Sequence, residues 1–183
     1  MAKPAVGIIV GSNRRESINR RLAKALAKLE SDRLDFTWIG IDDLPMYNQD
    51  LEENRPDPVR RFTGEVARTT GLLFVTPEHN RSLPAVLKNA IDWGSKPTEQ
   101  NVWRGKVAAI TGTSYGAIGT AVGQQHLRQI LGILGVLVMG GEAYISFRPD
   151  PVDDDGHFVD ESKRAFCAAY MDRFVALVMR FAA

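Results

Sequence analysis

Short apolar runs and longer amphipathic stretches alternate along this chain. The apolar runs cover Ala5–Val10 and residues 36–41, 71–76, 107–111 and 136–139. They are continuously apolar or nearly so, which predicts strands covered on both faces. The run at 36–41 alternates more, which places it nearer a sheet edge. Between them the apolar positions fall at helical spacing. Ile18, Leu22, Leu26 and Leu29 follow Ser17, a good N-cap. Further helices are predicted over 58–68, with a proline at the start, over 84–93 with Ser82 as candidate cap, over 117–134, and over 160–181. In the last, Phe166, Tyr170, Phe174, Leu177 and Phe181 form one stripe that predicts core.

The order is strand-helix five times over. That pattern predicts a parallel sheet with right-handed crossovers and helices on both faces. Five strands suit the flavodoxin-like order 2-1-3-4-5, a three-layer α/β sandwich, better than the six-strand dinucleotide folds. Polar, proline-containing loops at 44–57 and 148–157 lie between elements of the one sheet, so residues 1–183 are expected to form a single domain.

Composition narrows the function. The chain of 183 residues is 44% hydrophobic and 25% charged, ordinary for one globular domain. Its 23 basic and 22 acidic residues leave a formal net charge of +1. No general field draws it to nucleic acid or to an anionic membrane, so recognition of phosphate must be local. The single cysteine, Cys167, excludes an internal disulfide and a multi-cysteine metal site, and is expected to be a small buried hydrophobe. No signal-peptide pattern and no bilayer-length apolar run are present, so a cytoplasmic location is expected.

In an open sheet of this order, ligands bind beyond the strand ends where the order reverses, between strands 1 and 3. Three loops meet there. The first, residues 11–19, leads from a strand into a helix N-terminus, which favours an anion. Ser12, Ser17 and Asn19 offer neutral donors, and Arg14 or Arg15 offers charge. This suits one phosphate monoester; neither the P-loop ending nor G-x-G-x-x-G is present. The second loop, 76–84, is polar and bracketed by Pro77 and Pro84, which stiffen it so that its backbone groups can face a planar ligand. The third, 112–119, is glycine-rich and permits close approach. Each has a plain alternative reading as a polar or glycine-rich turn.

Taken together, these loops resemble the NADPH-dependent FMN reductase family, with its quinone and chromate reductase members. The similar stretches are Gly-Ser-Asn-Arg-Arg-Glu-Ser-Ile-Asn at 11–19, Leu-Pro-Met-Tyr-Asn-Gln-Asp at 44–50, Pro-Glu-His-Asn-Arg-Ser-Leu-Pro at 77–84 and Leu-Lys-Asn-Ala-Ile-Asp-Trp at 87–93. Gly-Ala-Ile-Gly-Thr at 116–120 and Gln-His-Leu-Arg-Gln-Ile-Leu at 125–131 extend the similarity. The resemblance implies non-covalent FMN, with its phosphate at Ser12, Arg14, Ser17 and Asn19. It implies that the ring lies against Pro77, Glu78, His79, Asn80 and Arg81, and that Ser114, Tyr115 and Gly116 close the other side. The family usually carries Tyr where this chain has His79, which bears on packing beside the ring. The implied reaction is ping-pong: NADPH or NADH reduces the flavin and leaves. A small-molecule acceptor such as a quinone, free flavin, azo compound or chromate then takes the electrons. The resemblance also implies a homodimer or homotetramer.

Two other readings use the same residues. Gly112-Thr113-Ser114-Tyr115-Gly116 fits the G-x-S-x-G elbow of a serine hydrolase, with Asp153 to Asp155 and His157 following in triad order. Against it, those partners sit in one polar turn and the chain is short for that fold. A non-enzymatic electron carrier of this fold is expected to be strongly acidic for docking, and a net charge of +1 argues against it. His79, His126 and His157 lack metal-ligand spacing.

Overall fold

The computed structural model describes residues 2–182. Strand β1 (Ala5–Val10) is followed by α1 (Ile18–Glu30), β2 (Asp35–Trp38), α2 (Asp57–Ala67), β3 (Gly71–Val75) and α3 (Ala85–Ser95). Then come β4 (Val107–Ser114), α4 (Ala121–Ile133), β5 (Leu137–Val138), β6 (Tyr144–Ser146) and α5 (Glu161–Phe181). Every pairing between these strands is parallel, and the order is β2-β1-β3-β4-β5, with β6 also on β4. This is the flavodoxin-like arrangement.

Side-chain alternation sorts the strands' residues into two layers. Val6, Ile8, Val10, Leu73 and Val75 pack under α1 and α5, while Ile9, Leu72, Phe74 and Ile110 pack under α2, α3 and α4. Buried Phe174, Phe62 and Leu26 each contribute roughly 1.5–3 kcal/mol of transfer free energy. Among the described residues, no helix is long and apolar enough to cross a membrane.

The fifth strand differs from expectation. It is split: β5 pairs with β4 at Val107 and Ala108, and β6, which the apolar pattern does not reveal, pairs with it at Gly112–Ser114. In the gap, the Tyr170 hydroxyl takes both backbone groups of Ile110. It accepts from Ile110 N–H at 3.1 Å and donates to Ile110 O at 2.7 Å. Burial raises the Tyr170 phenol to about 12, against the opposing pull of the Ile110 N–H, so it stays a donor at any physiological pH.

Other boundaries shift for local reasons. β2 stops at Trp38 rather than 41, with one further bond from Ile39 N–H to Ile8 O. The cap of α3 is Pro84, not Ser82, whose hydroxyl is engaged elsewhere. α4 begins at Ala121 rather than 117, because Gly119 takes a left-handed φ of 64°. In α5 the buried stripe is Cys167, Tyr170, Met171, Phe174, Val175 and Val178. Phe166 and Phe181 of the expected stripe are half exposed, so they are not core. Cys167 is buried as expected, and burial pushes its thiol up to about 12.

Candidate functional site

The three predicted loops converge on one cavity of about 360 Å³ beyond the ends of β1, β3 and β4. That lies within the usual range for small-molecule sites, about 300–1,000 Å³. Of the sequence candidates, Ser12, Arg14, Ser17, Asn19, Pro77, Glu78, His79, Ser114 and Tyr115 line it. Asn80, Arg81 and Gly116 lie in the same loops but outside the lining. Pro84, the far bracket of the second loop, and Val86, which the sequence does not single out, also line it and add an apolar wall.

The first loop aims a helix N-terminus at this space. Ser17 caps α1, accepting from Arg20 N–H at 3.3 Å, and the first turn holds no acidic side chain. The helix's own first turn therefore does not offset the partial positive charge there. The Ser12 hydroxyl accepts weakly from Arg14 N–H at 3.4 Å. Arg14 and Arg15 are exposed, and neither forms an ion pair with any described residue. Asn19 is buried and clamps two loops together. Its Nδ2 donates to Thr113 O at 3.0 Å and its Oδ1 accepts from Thr113 N–H at 2.9 Å.

The second loop is a rigid tight hairpin. His79 and Ser82 exchange backbone bonds of 2.9 Å in both directions around Asn80 and Arg81. Those two residues have φ of 51° and 64°, the positive pair that a two-residue hairpin of right-handed twist requires. Glu78, 11% exposed at its side chain, fastens the hairpin to α4: its Oε2 accepts from Gly123 N–H at 2.9 Å, in the first turn of that helix. Arg81 reaches its other oxygen at 3.3 Å, and the Ser82 hydroxyl bonds His126 Nδ1 at 2.8 Å.

Two further stretches noted in the sequence turn out to be coupled. From α3, Asn89 accepts from Tyr47 N–H at 2.7 Å and donates to Pro45 O at 2.9 Å. Trp93 Nε1 donates to the same carbonyl at 2.7 Å, and its ring meets Tyr47 edge-on at 5.2 Å. The 44–50 segment is thus pinned to α3 beside the second loop.

Ser114 ends β4. Its hydroxyl donates to Gly119 O at 2.7 Å and accepts from Gly116 N–H at 3.2 Å. No histidine bonds it. His157 instead lies by Lys28 of α1, 3.2 Å away, with Asp153 Oδ2 at 3.6 Å from its Nδ1. The triad order seen in the sequence is not a constellation in space.

The site combines an uncommitted cation, a helix N-terminus, a rigid backbone hairpin and apolar walls. These can hold an elongated ligand with a phosphate at one end and a planar ring at the other. Comparison with known proteins identifies the family. Residues 4–150 match the model of the NADPH-dependent FMN reductase family. A 2-hydroxy-1,4-benzoquinone reductase of Burkholderia sp is 45% identical over 174 residues, 94% of this chain and 95% of that protein. A quinone reductase of Pseudomonas putida is 44% identical, over 95% of this chain and 94% of that protein. Among solved structures, FerB of Paracoccus denitrificans, a flavoenzyme NAD(P)H:(acceptor) oxidoreductase, is similar at a TM-score of 0.94. It is 40% identical, with 97% of this chain and 98% of that chain covered.

Proposed function

The chain belongs to the NADPH-dependent FMN reductase family, an oxidoreductase family, and from that premise we propose that it is a ping-pong NAD(P)H:quinone oxidoreductase that uses FMN. The observation that carries this is the single cavity in which the α1 N-terminus and Arg14, unpaired among the described residues, face the hairpin of the second loop. The donor set fits FMN. The α1 N-terminus, Ser12, Ser17 and Arg14 would take the phosphate, with Asn19 holding that loop to β4. Pro77, Glu78, His79, Asn80 and Arg81 would support the ring on one side, and Ser114, Tyr115 and Gly116 on the other.

When bound, the flavin supplies hydride acceptance from the nicotinamide and delivery of the electrons onward. The chain's own part is to position and to exclude. The hairpin presents fixed backbone groups and needs little reorganisation as charge builds on the ring. Pro84 and Val86 keep water from that side. The cavity mouth takes donor and acceptor in turn, which gives the ping-pong order. A quinone acceptor is favoured over chromate, azo compounds or free flavin by the quinone reductases at 45% and 44% identity. A cytoplasmic homodimer or homotetramer is part of the same proposal; exposed Ile118 of the third loop and Val122 of α4 suit a subunit contact.

The experiment is direct. Purified protein, supplied with FMN, should retain it and release FMN rather than FAD on denaturation. NADH or NADPH should bleach it anaerobically, and a benzoquinone should restore the colour. Ser114→Ala should keep FMN and most of the quinone reduction. A protein that binds no FMN at micromolar concentration overturns the proposal, and so does ester hydrolysis that vanishes in Ser114→Ala.

A further inference from the structure

Behind the third loop four side chains stack in a row. Arg21 Cζ lies 5.3 Å from the centroid of the Phe147 ring. Phe147 meets Tyr115 edge-on, at 6.1 Å and 88°. Arg148 Cζ lies 5.0 Å over the Tyr115 ring. The guanidiniums at the two ends differ. Arg21 is neutralised by Asp150 at 2.7 Å and also donates to Val152 O. Arg148 is exposed and forms no ion pair with any described residue.

The base of the Arg148 side chain is fixed to the site. Phe147 N–H donates to Ser114 O at 2.8 Å, and Arg148 N–H reaches the Ser146 hydroxyl at 3.4 Å. Tyr115 lines the cavity, whereas Arg148 does not. The free guanidinium therefore stands one aromatic ring outside the cavity wall. Stacking on a ring orients the guanidinium and leaves its N–H fork open, the geometry that recognises phosphate in bidentate fashion.

We infer that Arg148, carried on Tyr115, recognises a phosphate group of the nicotinamide dinucleotide donor. The inference rests on the reading above, in which FMN fills the cavity and the donor approaches over it. The flavin's own phosphate has its counter-charge in Arg14 and the α1 N-terminus, inside the lining. A charge beyond the lining meets a ligand larger than the cavity, and of the two substrates only the donor carries phosphate; a quinone has none. Arg148 is thus a donor-specificity residue with no part in holding the acceptor.

The test uses FMN-loaded enzyme and the Arg148→Ala and Arg148→Lys variants. Arg148→Ala should raise the KM for the donor about tenfold, as loss of one charge-assisted contact does. kcat, the quinone KM and FMN affinity should stay unchanged. Arg148→Lys keeps charge without the stacked fork and should fall between. A rise for NADPH alone assigns the contact to the 2′-phosphate, and a rise for both nucleotides assigns it to the pyrophosphate; either supports the inference. Unchanged donor KM values with both nucleotides overturn it. So does a loss of FMN affinity, with riboflavin spared, as large as the loss for the donor, since Arg148 would then serve the flavin phosphate. Failure of the underlying reading looks different: neither nucleotide bleaches the wild type, and the inference falls with it.

Discussion

The loop after β1 leaves its charged side chains uncommitted among the described residues, whereas the loop after β3 has the side chains of Glu78, Arg81 and Ser82 engaged. Arg14 and Arg15 are exposed and form no ion pair with any described residue, and Ser12 makes one long contact. In the second loop the backbone closes on itself through His79 and Ser82, Glu78 is fastened to α4, and Ser82 is fastened to His126. A phosphate needs charge and donors that can close around it, and fixed geometry adds little at that end. A ring whose charge changes during reaction gains from groups already in place, because reorganisation would add to the barrier. On the proposed function, one region would bind by electrostatics and the other by shape.

The largest break in this comparison comes where β3 and β4 carry the second and third loops. A Cβ on Gly112 would sit 1.9 Å from the Thr76 carbonyl oxygen, a backbone atom that cannot swing aside. Gly112→Ala should push the strand ends apart, lower stability by about 1–3 kcal/mol or more, and abolish binding of FMN and riboflavin alike. Thermal melting and a flavin titration check both effects. A variant with wild-type melting and binding would show that the ring side is not held by close strand contact.

Arg14→Ala should act on the other region alone. Removing a charge-assisted phosphate contact amounts to roughly 1.5–3 kcal/mol, about ten- to a hundredfold in FMN affinity. Riboflavin, which lacks the phosphate, should bind nearly as before, and melting of the apoprotein should hardly move because Arg14 is exposed. Equal loss for both ligands would place Arg14 at the ring and erase the distinction.

How much of this was legible in the sequence follows from the range of the interactions. The apolar runs of β1, β3 and β4 announce themselves because both faces are covered. β6 does not, because Tyr144, Ile145 and Ser146 are too short and mixed a run, and because Tyr170, far along the chain, bridges the gap beside them. The α4 start was misplaced because Ala117 and Ile118 suit a helix, while the left-handed Gly119 that ends the turn is set by its closeness to the Ile145 backbone. The switch-point rule finds all three loops. It cannot find what holds them: Asn19 on Thr113, Glu78 on Gly123 and Trp93 on Pro45 join residues far apart in sequence. Arg148 escaped for the same reason, since its ring partner Tyr115 lies on another element.

The smallest effect separates geometry from charge within the second loop. Glu78→Gln keeps an oxygen that can accept from Gly123 N–H, so the hairpin should remain fastened to α4. It loses the attraction of a carboxylate for the helix N-terminus, typically about 0.3–1 kcal/mol. The contact with Arg81 adds little, because that side chain is 69% exposed. FMN and riboflavin affinities should therefore fall together by no more than about fivefold, and the flavin midpoint potential should rise, since a negative charge has left the cavity wall. Glu78→Ala should be worse in binding and in melting, because it leaves the Gly123 N–H without its acceptor at a part-buried position, about 1–3 kcal/mol. If the glutamine variant were as poor as the alanine variant, charge and not fastening would be the reason Glu78 matters, and the second loop would be electrostatic like the first.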